Sequence, residues 1–143
     1  MTPLTVLIAG EPVAKGRPRV VRTKAGVRAI TPEKTREWTS YAVRVLAWSW
    51  KGRPPIAGPV KVTLRAIKTR PQRLRRKSDA EGLCWRTTKP DVDNVAKAVL
   101  DALVKAQVIA DDQQVARLEC DSLYAEKQGL PRVEVTVSTL EAL

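Results

Sequence analysis

Carboxylates cluster in the second half of an otherwise basic sequence. Asp91 and Asp93 stand two residues apart at the start of an apolar segment. Lys97 follows Asp93 by four residues, and Asp112 comes after the apolar segment. Two close carboxylates repel one another unless a cation lies between them, and Mg²⁺ prefers oxygen ligands completed by water and phosphate oxygens. The spacing therefore predicts a metal site in which Lys97 stabilises charge developing on a phosphate group.

Each of these residues also has an ordinary structural interpretation. An Asp at the start of a helix most often only caps that helix. Asp93, Lys97 and Asp101 would form i,i+4 ion pairs on a solvated stripe, and Asp111 with Asp112 would form a common turn. Spacing alone leaves both interpretations open.

The charge distribution indicates a polyanionic partner. The 143 residues carry a formal net charge of +11. Residues 1–90 contain 21 Lys and Arg against five Asp and Glu, whereas residues 91–143 contain five against ten. Such an excess of cations favours nucleic acid, whose phosphates supply affinity independent of sequence. Although a merely solvated surface is the alternative, we expect DNA contacts from Lys15, Arg17, Arg19, Arg73, Arg75, Arg76 and Lys77.

Composition narrows the class of protein and the chemistry open to it. With 43% hydrophobic and 29% charged residues, the chain is expected to form one folded domain over residues 1–143. No membrane-spanning stretch or secretion signal is evident, so we expect a cytoplasmic protein without membrane partners. There is no histidine, and Cys84 and Cys120 lack zinc-ligand spacing. Catalysis must therefore use carboxylates, lysine, hydroxyls or metal, with no small-molecule cofactor.

Apolar periodicity predicts an α/β (α+β) domain in which one mixed sheet packs with two helices, in the order β-α-β-α-β-β. Residues 12–22 are expected to be irregular, and residues 68–90 to form a long, mobile basic loop. Thr31 is expected to cap the first helix, whose apolar face would contain Trp38, Tyr41, Val45 and Trp48 as core or dimer interface. The predicted strands cover residues 5–9, 60–67, 115–123 and 133–138, with a short extended piece at 108–110; the predicted helices run from 31 to 50 and from about 93 to 106.

The second helix separates Asp112 from the other acids. A helix of about 14 residues is roughly 21 Å long, so Asp112 meets Asp91 only if the chain returns along the helix or if a second subunit supplies it. Six extended residues cover about 20 Å, which makes the return possible. We favour a site within one chain.

Residues 89–103 (KPDVDNVAKAVLDAL) and 111–115 (DDQQV) resemble the signature of the RusA family of Holliday junction resolvases, which are Mg²⁺-dependent endonucleases of bacteria and their prophages. The resemblance implies that Asp91, Asp93 and Asp112 bind metal and that Lys97 is the essential lysine. The basic segment 12–19 is similar to one in phage-type members and implies contact with the DNA backbone. Two departures are Gln107, where relatives usually have Gly after the helix, and Ser122, where many have Lys.

The resemblance implies an endonuclease that resolves four-way junctions by paired, symmetric nicks. Two symmetric cuts require two active sites, and the chain has one set of ligands, so we expect a homodimer. Trp85 would either insert between bases at the junction or pack over the core. The alternative functions are a non-catalytic nucleic-acid-binding protein and a nuclease that cuts flap or duplex DNA.

Overall fold

Alternating apolar residues in the strands and apolar stripes on two helices build a two-layer fold. The computed structural model describes residues 3–15, 19–30 and 32–143. The helices are α1 (Glu33–Trp50) and α2 (Val92–Lys105), and short 3₁₀ turns occur at Gln72–Leu74 and Asp112–Gln114. The strands are β1 (Leu4–Ala9), β2 (Arg19–Thr23), β3 (Gly26–Ile30), β4 (Val60–Lys68), β5 (Cys84–Trp85), β6 (Val115–Tyr124) and β7 (Arg132–Thr139).

Five strands form the main sheet in the order β1-β7-β4-β6-β5. Strands β4 and β6 are parallel, and the other neighbours are antiparallel. Strands β6 and β7 follow one another in the chain, yet β4 lies between them in the sheet. The predicted fold class, one mixed sheet with two helices, is confirmed.

The hydrophobic core lies between the sheet and the helices. In β4, Val60, Val62 and Leu64 are fully buried, while the residues between them face away from the helices. That outer face carries charged pairs, including Lys61 with Glu119 at 3.1 Å. Neither helix in the described part of the chain is long and apolar enough to cross a membrane.

The buried face of α1 differs from the predicted one. Trp38, Ala42, Leu46 and Trp50 are buried at intervals of four residues, whereas Trp48 is 83% exposed. The sequence allowed two apolar stripes on α1 that both contain Trp38, one with Trp48 and one with Ala42. Close packing of α1 against β1 and α2 favours the stripe with the small Ala42. The expected N-cap, Thr31, lies outside the described residues.

Part of the segment expected to be irregular, residues 12–22, belongs to a β-hairpin. Strands β2 and β3 pair antiparallel, and the turn between them places Gly26 at φ 119°, a backbone conformation that glycine adopts readily. Val20 is 73% exposed and Val27 66% exposed. Because none of residues 20–28 is buried, this part of the sequence has no need of the apolar alternation that reveals a strand.

Residues 68–90, expected from the sequence to form a loop, contain only a 3₁₀ turn and the short strand β5 beyond the end of β4, and a buried arginine holds them together. Arg70 is 2% exposed, and its guanidinium donates hydrogen bonds to the carbonyl oxygens of Leu74 at 3.1 Å, Ala80 at 2.7 Å and Ala125 at 2.9 Å, and also to that of Gly82. A buried cation surrounded by carbonyl dipoles thus organises the segment. Hydrophobic periodicity gives no sign of such polar anchoring.

Candidate active site

Asp91 and Asp93, the acid pair, lie at the start of α2 as predicted. Asp91 is the N-cap residue, with φ −66° and ψ 140°, but its side chain makes no capping hydrogen bond. Both carboxylates are exposed, and in the part of the chain that the structure describes neither belongs to an ion pair. Helix capping and i,i+4 pairing therefore do not occupy these side chains, which leaves them available to a ligand.

A buried arginine fixes the segment that leads into the acid pair. Arg86 is 3% exposed and donates to the carbonyl oxygens of Thr88 at 2.6 Å and Pro90 at 3.0 Å. It also donates to the carbonyl of Leu123 in β6 at 3.2 Å and to that of Ala66 in β4 at 3.4 Å. Burial lowers the pKa of Arg86, and these four acceptors offset its lost hydration. The start of α2 is thereby tied to two strands of the sheet.

Asp91 lines a cavity of about 540 Å³ that contains a second carboxylate, Glu11. The Glu11 side chain accepts hydrogen bonds from the backbone N–H of Thr69, at 3.2 Å, and from its hydroxyl. Three lysines, Lys34, Lys68 and Lys89, also line the cavity. Glu11 was not among the predicted site residues, although it is one of only five acids in residues 1–90, a scarcity that could have drawn attention to it.

Lys97 and Asp112 line a different cavity, of about 500 Å³, together with Lys15 and Asp101. Asp101 forms an i,i+4 ion pair with Lys105 at 3.2 Å, so the ordinary interpretation applies to that acid. The structure thus brings Lys97 near Asp112, and it brings the cation Lys15 from the basic N-terminal segment to the same cavity.

Asp111 and Asp112 have different roles despite being adjacent. The Asp111 carboxylate accepts a hydrogen bond from the backbone N–H of Gln113 at 2.8 Å and forms a reciprocal capping box with Gln114. The Gln113 N–H, and then Asp112, hold the pKa of Asp111 below its ordinary value. Asp111 is therefore used to build the turn, whereas the Asp112 carboxylate projects at the surface.

The acid pair and Asp112 lie at opposite ends of the sheet. Near the start of β4, Gln114 donates to the carbonyl oxygens of Ile56 at 2.7 Å and Gly58 at 2.9 Å. At the far end of β4, Lys68 donates to the carbonyl of Lys89, two residues before Asp91. The nine residues of β4 span about 26 Å at roughly 3.3 Å per residue. Within the described residues, the chain returns along α2 only as far as the cavity of Lys97, and Asp112 does not join the acid pair in a group that could hold a metal ion.

The residues present fit a divalent metal only in part. Over residues 3–15, 19–30 and 32–143, no three Asp, Glu, Cys or His side chains form a group that could hold a metal ion. The acid pair nevertheless offers two exposed carboxylates, a donor set that suits Mg²⁺ when water and phosphate oxygens complete its shell. One chain therefore supplies part of such a site, and water, phosphate oxygens or a further carboxylate would complete it.

The predicted DNA-binding residues fall into two groups. In the N-terminal group, Arg17 and the side chain of Arg19 lie outside the described residues. Lys15 lies beside α2, where its backbone N–H donates a hydrogen bond to the backbone carbonyl of Asn94 at 3.1 Å. In the 68–90 segment, Arg73 donates to the Tyr124 hydroxyl at 3.3 Å. Of the remaining three predicted residues, Arg75 donates to the backbone carbonyl of Arg70, and Arg76 and Lys77 are exposed.

A basic groove between α1 and α2 escaped the sequence analysis. It has a volume of about 880 Å³ and is lined by Lys15, Arg36, Arg44 and Lys105 on either side of Asp101. Arg36 and Arg44 are two turns apart on α1, off its apolar stripe, and that spacing is a signal that could have identified them. The groove adjoins the cavity of Lys97 and Asp112 through Lys15 and Asp101.

Trp85 does not pack over the core. It lies on the two-residue strand β5 and is 73% exposed. Ser122, which stands where Lys was expected from the resemblance, accepts a hydrogen bond from the Arg86 backbone N–H at 3.0 Å. That contact joins β5 to β6 just beyond the paired residues.

Comparison with known proteins identifies the family. The model of the family described as endodeoxyribonuclease RusA matches residues 9–138. The chain belongs to this RusA family. It is 36% identical over 140 residues to the uncharacterized protein YqaN of Bacillus subtilis (strain 168), covering 94% of this chain and 95% of that protein. It is also 33% identical over 54 residues to the crossover junction endodeoxyribonuclease rusA of Lactococcus phage r1t, covering 38% of this chain and 39% of the phage protein.

Proposed function

We propose that this RusA-family protein is a Mg²⁺-dependent endonuclease of the bacterial cytoplasm, encoded by host or phage, that resolves four-way DNA junctions by paired symmetric nicks. The observation that carries the proposal is the acid pair: two exposed carboxylates without ion-pair partners among the described residues, in a chain of net charge +11. Unpaired acids of this kind suit a cation, and the surrounding excess of Lys and Arg suits DNA.

Asp91, Asp93 and Asp112 are the residues that would hold the ion. When bound, Mg²⁺ activates water for in-line attack on a phosphodiester and offsets the charge that develops there. Lys97 places a second positive charge near the phosphate, and we assign to it the stabilisation of that developing charge. The free N–H groups at the start of α2 favour anions and would help to place the scissile phosphate beside the acid pair.

The active form is a homodimer in which Asp112 of one subunit and the acid pair of the other together form each metal site. Two observations support this arrangement. Asp112 lines the cavity of Lys97 and not that of Asp91, and the described residues of one chain form no group of three acids that could hold a metal ion. A two-fold axis that brings the two ends together forms two equivalent sites, which paired nicks require.

We propose that DNA phosphates are contacted by Lys15, Arg17, Arg19, Arg73, Arg75, Arg76 and Lys77, with Arg36 and Arg44 in the groove between the helices. These contacts supply affinity that does not depend on sequence. Trp85 is exposed beside the segment that leads to the acid pair, a position from which an aromatic ring can separate stacked bases at the junction centre.

Cleavage assays with labelled four-way junction, flap and linear duplex test the proposal. The natural protein should nick opposed strands of the junction with Mg²⁺ and be inactive with EDTA. Asp91→Asn and Asp112→Asn should lose about 10²- to 10³-fold or more in rate, as expected when charge stabilisation is removed, yet retain junction affinity. Asp101→Asn is the matched control, because its carboxylate pairs with Lys105, and it should cut normally.

Each alternative function predicts a different result. If flap or duplex DNA is cut in preference to the junction, the substrate is that DNA and not the four-way junction. Junction binding without any cleavage would favour a non-catalytic binding protein. Cleavage that survives EDTA or Asp91→Asn would overturn the proposed chemistry. Mixing inactive Asp91→Asn and Asp112→Asn subunits tests action across the dimer, because one site of each mixed dimer then has both natural partners and activity should partly return.

A further inference from the structure

Strand β6 has an open edge. On one side it pairs with β4 along its length, but on the other side β5 pairs only with Leu123 and Tyr124, and Arg86 N–H reaches Ser122. On the side opposite β4, residues 115–121 therefore have no strand beside them among the described residues. The stretch 116–119 is exposed at every residue, and Leu118 is 43% exposed although it points to the helix side of the sheet.

The backbone of this edge is positioned to bond another strand. The carbonyl of Ser122 points away from β4, since it accepts from Arg86 in the neighbouring β5 segment. Backbone groups in a strand alternate in direction, so the N–H and C=O groups of Cys120 and Leu118 point the same way. Natural proteins cover, shorten or interrupt such edges. A bulge at Ala116 interrupts this edge near its start, and the regular stretch from Arg117 to Asp121, which contains no proline, remains a template for pairing.

We propose that the open edge of β6 pairs antiparallel with the same edge of a second copy of this chain, about a two-fold axis at Leu118. The inference rests on the homodimer of the proposed function and identifies the surface that forms it. In an isologous contact residue i meets residue j of the partner and residue j meets residue i, so a strand pairs with its own copy only in the reversed direction. The two strands would join the two sheets into one.

The limits of the open edge fix the register. The 3₁₀ turn Asp112–Gln114 precedes it, and the Arg86–Ser122 bond closes it at the other end. The midpoint of residues 115–121 is Leu118, which would meet the partner's Leu118 and bury its exposed surface. In the same register Arg117 lies opposite the partner's Glu119, and Glu119 opposite the partner's Arg117. The edge is thus complementary to itself in charge as well as in length.

The same register brings the separated acids toward one another. Because the paired strands run in opposite directions, the start of the partner's β6 lies beside the end of this β6. At that end Arg86 bonds both Leu123 of β6 and Pro90, the residue before Asp91. The partner's Asp112 therefore approaches the end of the sheet that carries Asp91. This second copy supplies the missing carboxylate without any rearrangement of the fold.

Disulfide trapping tests the register. In a chain with Cys84→Ser and Cys120→Ala, Leu118→Cys would place two thiols across the two-fold axis, with Cα atoms about 5.5 Å apart and inside the roughly 4.4–6.8 Å range of disulfides. Mild oxidation should convert most of the protein to a covalent dimer on a non-reducing gel. Thr63→Cys in the same background is the control, since β4 lies inside the sheet, and it should stay monomeric.

Charge exchange tests the interface without a cysteine. Arg117→Glu converts two attractive cross-strand pairs into two repulsive ones, and the dimer Kd by analytical ultracentrifugation should rise about tenfold or more. Adding Glu119→Arg should restore the Kd, because the charges again alternate and Lys61 keeps an acidic neighbour. Arg65→Glu, on the same face but away from the edge, should leave it unchanged.

The outcomes separate this inference from the proposed function. Suppose that the protein cleaves junctions as a dimer, but that Leu118→Cys is not trapped and Arg117→Glu does not change the dimer Kd. The interface would then lie elsewhere, which would overturn pairing through β6 but leave the proposed resolvase activity intact. Trapping and rescue in a protein that never cuts junctions would support the edge and overturn the activity. Circular dichroism of each variant ensures that a loss of dimer is not a loss of fold.

Discussion

At the residue scale, burial rather than charge separates the arginines by role. Arg70 and Arg86 are 2% and 3% exposed, and both donate to backbone carbonyls instead of facing solvent. In the sequence they are indistinguishable from Arg73 and Arg75, which were predicted to contact DNA. The reason is that a guanidinium offers five donors, enough to satisfy a buried cation with backbone carbonyl groups. Because every residue has a carbonyl group, such partners leave no pattern in the sequence.

Arg86 is a positioning residue for the acid pair, and its replacement should affect turnover more than binding. Arg86→Lys keeps the charge but cannot reach all of its carbonyl partners at once, so kcat for junction cleavage should fall about 10- to 100-fold, as for other supporting residues. The KM should change little. Steady-state kinetics on a labelled junction, with thermal unfolding measured in parallel, provide the readout.

Arg70→Lys is the control for this prediction, because Arg70 is buried as deeply but anchors the segment around Ala80 and Gly82. It should destabilise the protein similarly and leave kcat near that of the natural chain. An equal loss of kcat in both variants would mean that Arg86 acts only through general stability.

At the element scale, α2 was predicted well because its signals are local. An acid at its N-terminus and an apolar pattern at helical spacing identify it. Its end was less certain, because Gln107 replaces the expected Gly. Gln107 adopts φ 60° and donates its N–H to the carbonyl of Val104 at 3.0 Å, while Val108 donates to Leu103 at 3.1 Å. These two bonds form a Schellman cap in which a non-glycine residue is left-handed.

Replacing that residue with glycine should stabilise the protein. A left-handed conformation costs an L-residue about 1–2 kcal/mol, and Gln107→Gly removes this cost while losing the side-chain bond to Val104 and adding unfolded-state entropy. We expect a net gain in unfolding free energy of about 0.5–1 kcal/mol in urea titrations. Ala106→Gly, at φ −78°, should instead lower stability, and a gain there or a loss at Gln107 would contradict the explanation.

Elements that depend on distant packing were predicted less well. The face of α1 was wrong because two stripes share Trp38, and only contact with the rest of the fold selects between them. The hairpin of β2 and β3 was missed because none of residues 20–28 is buried, so these strands show no apolar face. The arginine that holds residues 68–90 bonds backbone carbonyl groups, which leave no pattern in the sequence. Apolar periodicity therefore identifies none of these three features.

At the scale of the whole molecule, cations are paired differently on the two sides of the sheet. Cations on the face away from the helices are neutralised by acids: Lys61 by Glu119, Arg65 by Glu134, and Arg132 by both Glu126 and Glu134. The bond to Arg132 holds the pKa of Glu126 below its usual value. In the groove between α1 and α2, Lys15, Arg36 and Arg44 form no ion pair with a described residue, and Glu33 and Glu37 line a neighbouring pocket with the two arginines. We therefore expect DNA to approach the helices.

Reversing charge in the groove should weaken junction binding. Arg36→Glu with Arg44→Glu should lower affinity at moderate salt and reduce the slope of log K against log salt by about 1–2, because each lost phosphate contact removes roughly one released counterion. Fluorescence anisotropy over a salt series measures both quantities. Arg65→Glu is the matched control; if it weakens binding as much, the helix side is not the DNA surface.

The candidate site was only partly accessible to sequence reasoning. Spacing and resemblance located Asp91, Asp93, Lys97 and Asp112, and the exposed, uncapped acid pair agrees with that choice. Whether the chain returned along α2 could not be read from the sequence, because the answer depends on where β6 pairs. The parallel pairing of β4 with β6 sends Asp112 to the far end of the sheet.

The clamp formed by Arg86 has a mechanical consequence. It ties the start of α2 to β4 and β6 through four carbonyl groups, so the acid pair cannot tilt without breaking bonds to the sheet. In the encounter with a branched substrate the protein is then the stiff component and the nucleic acid the compliant one. The arms of a junction would have to bend and unstack to meet the acids, so how readily a given branch point deforms would set how fast it is cut.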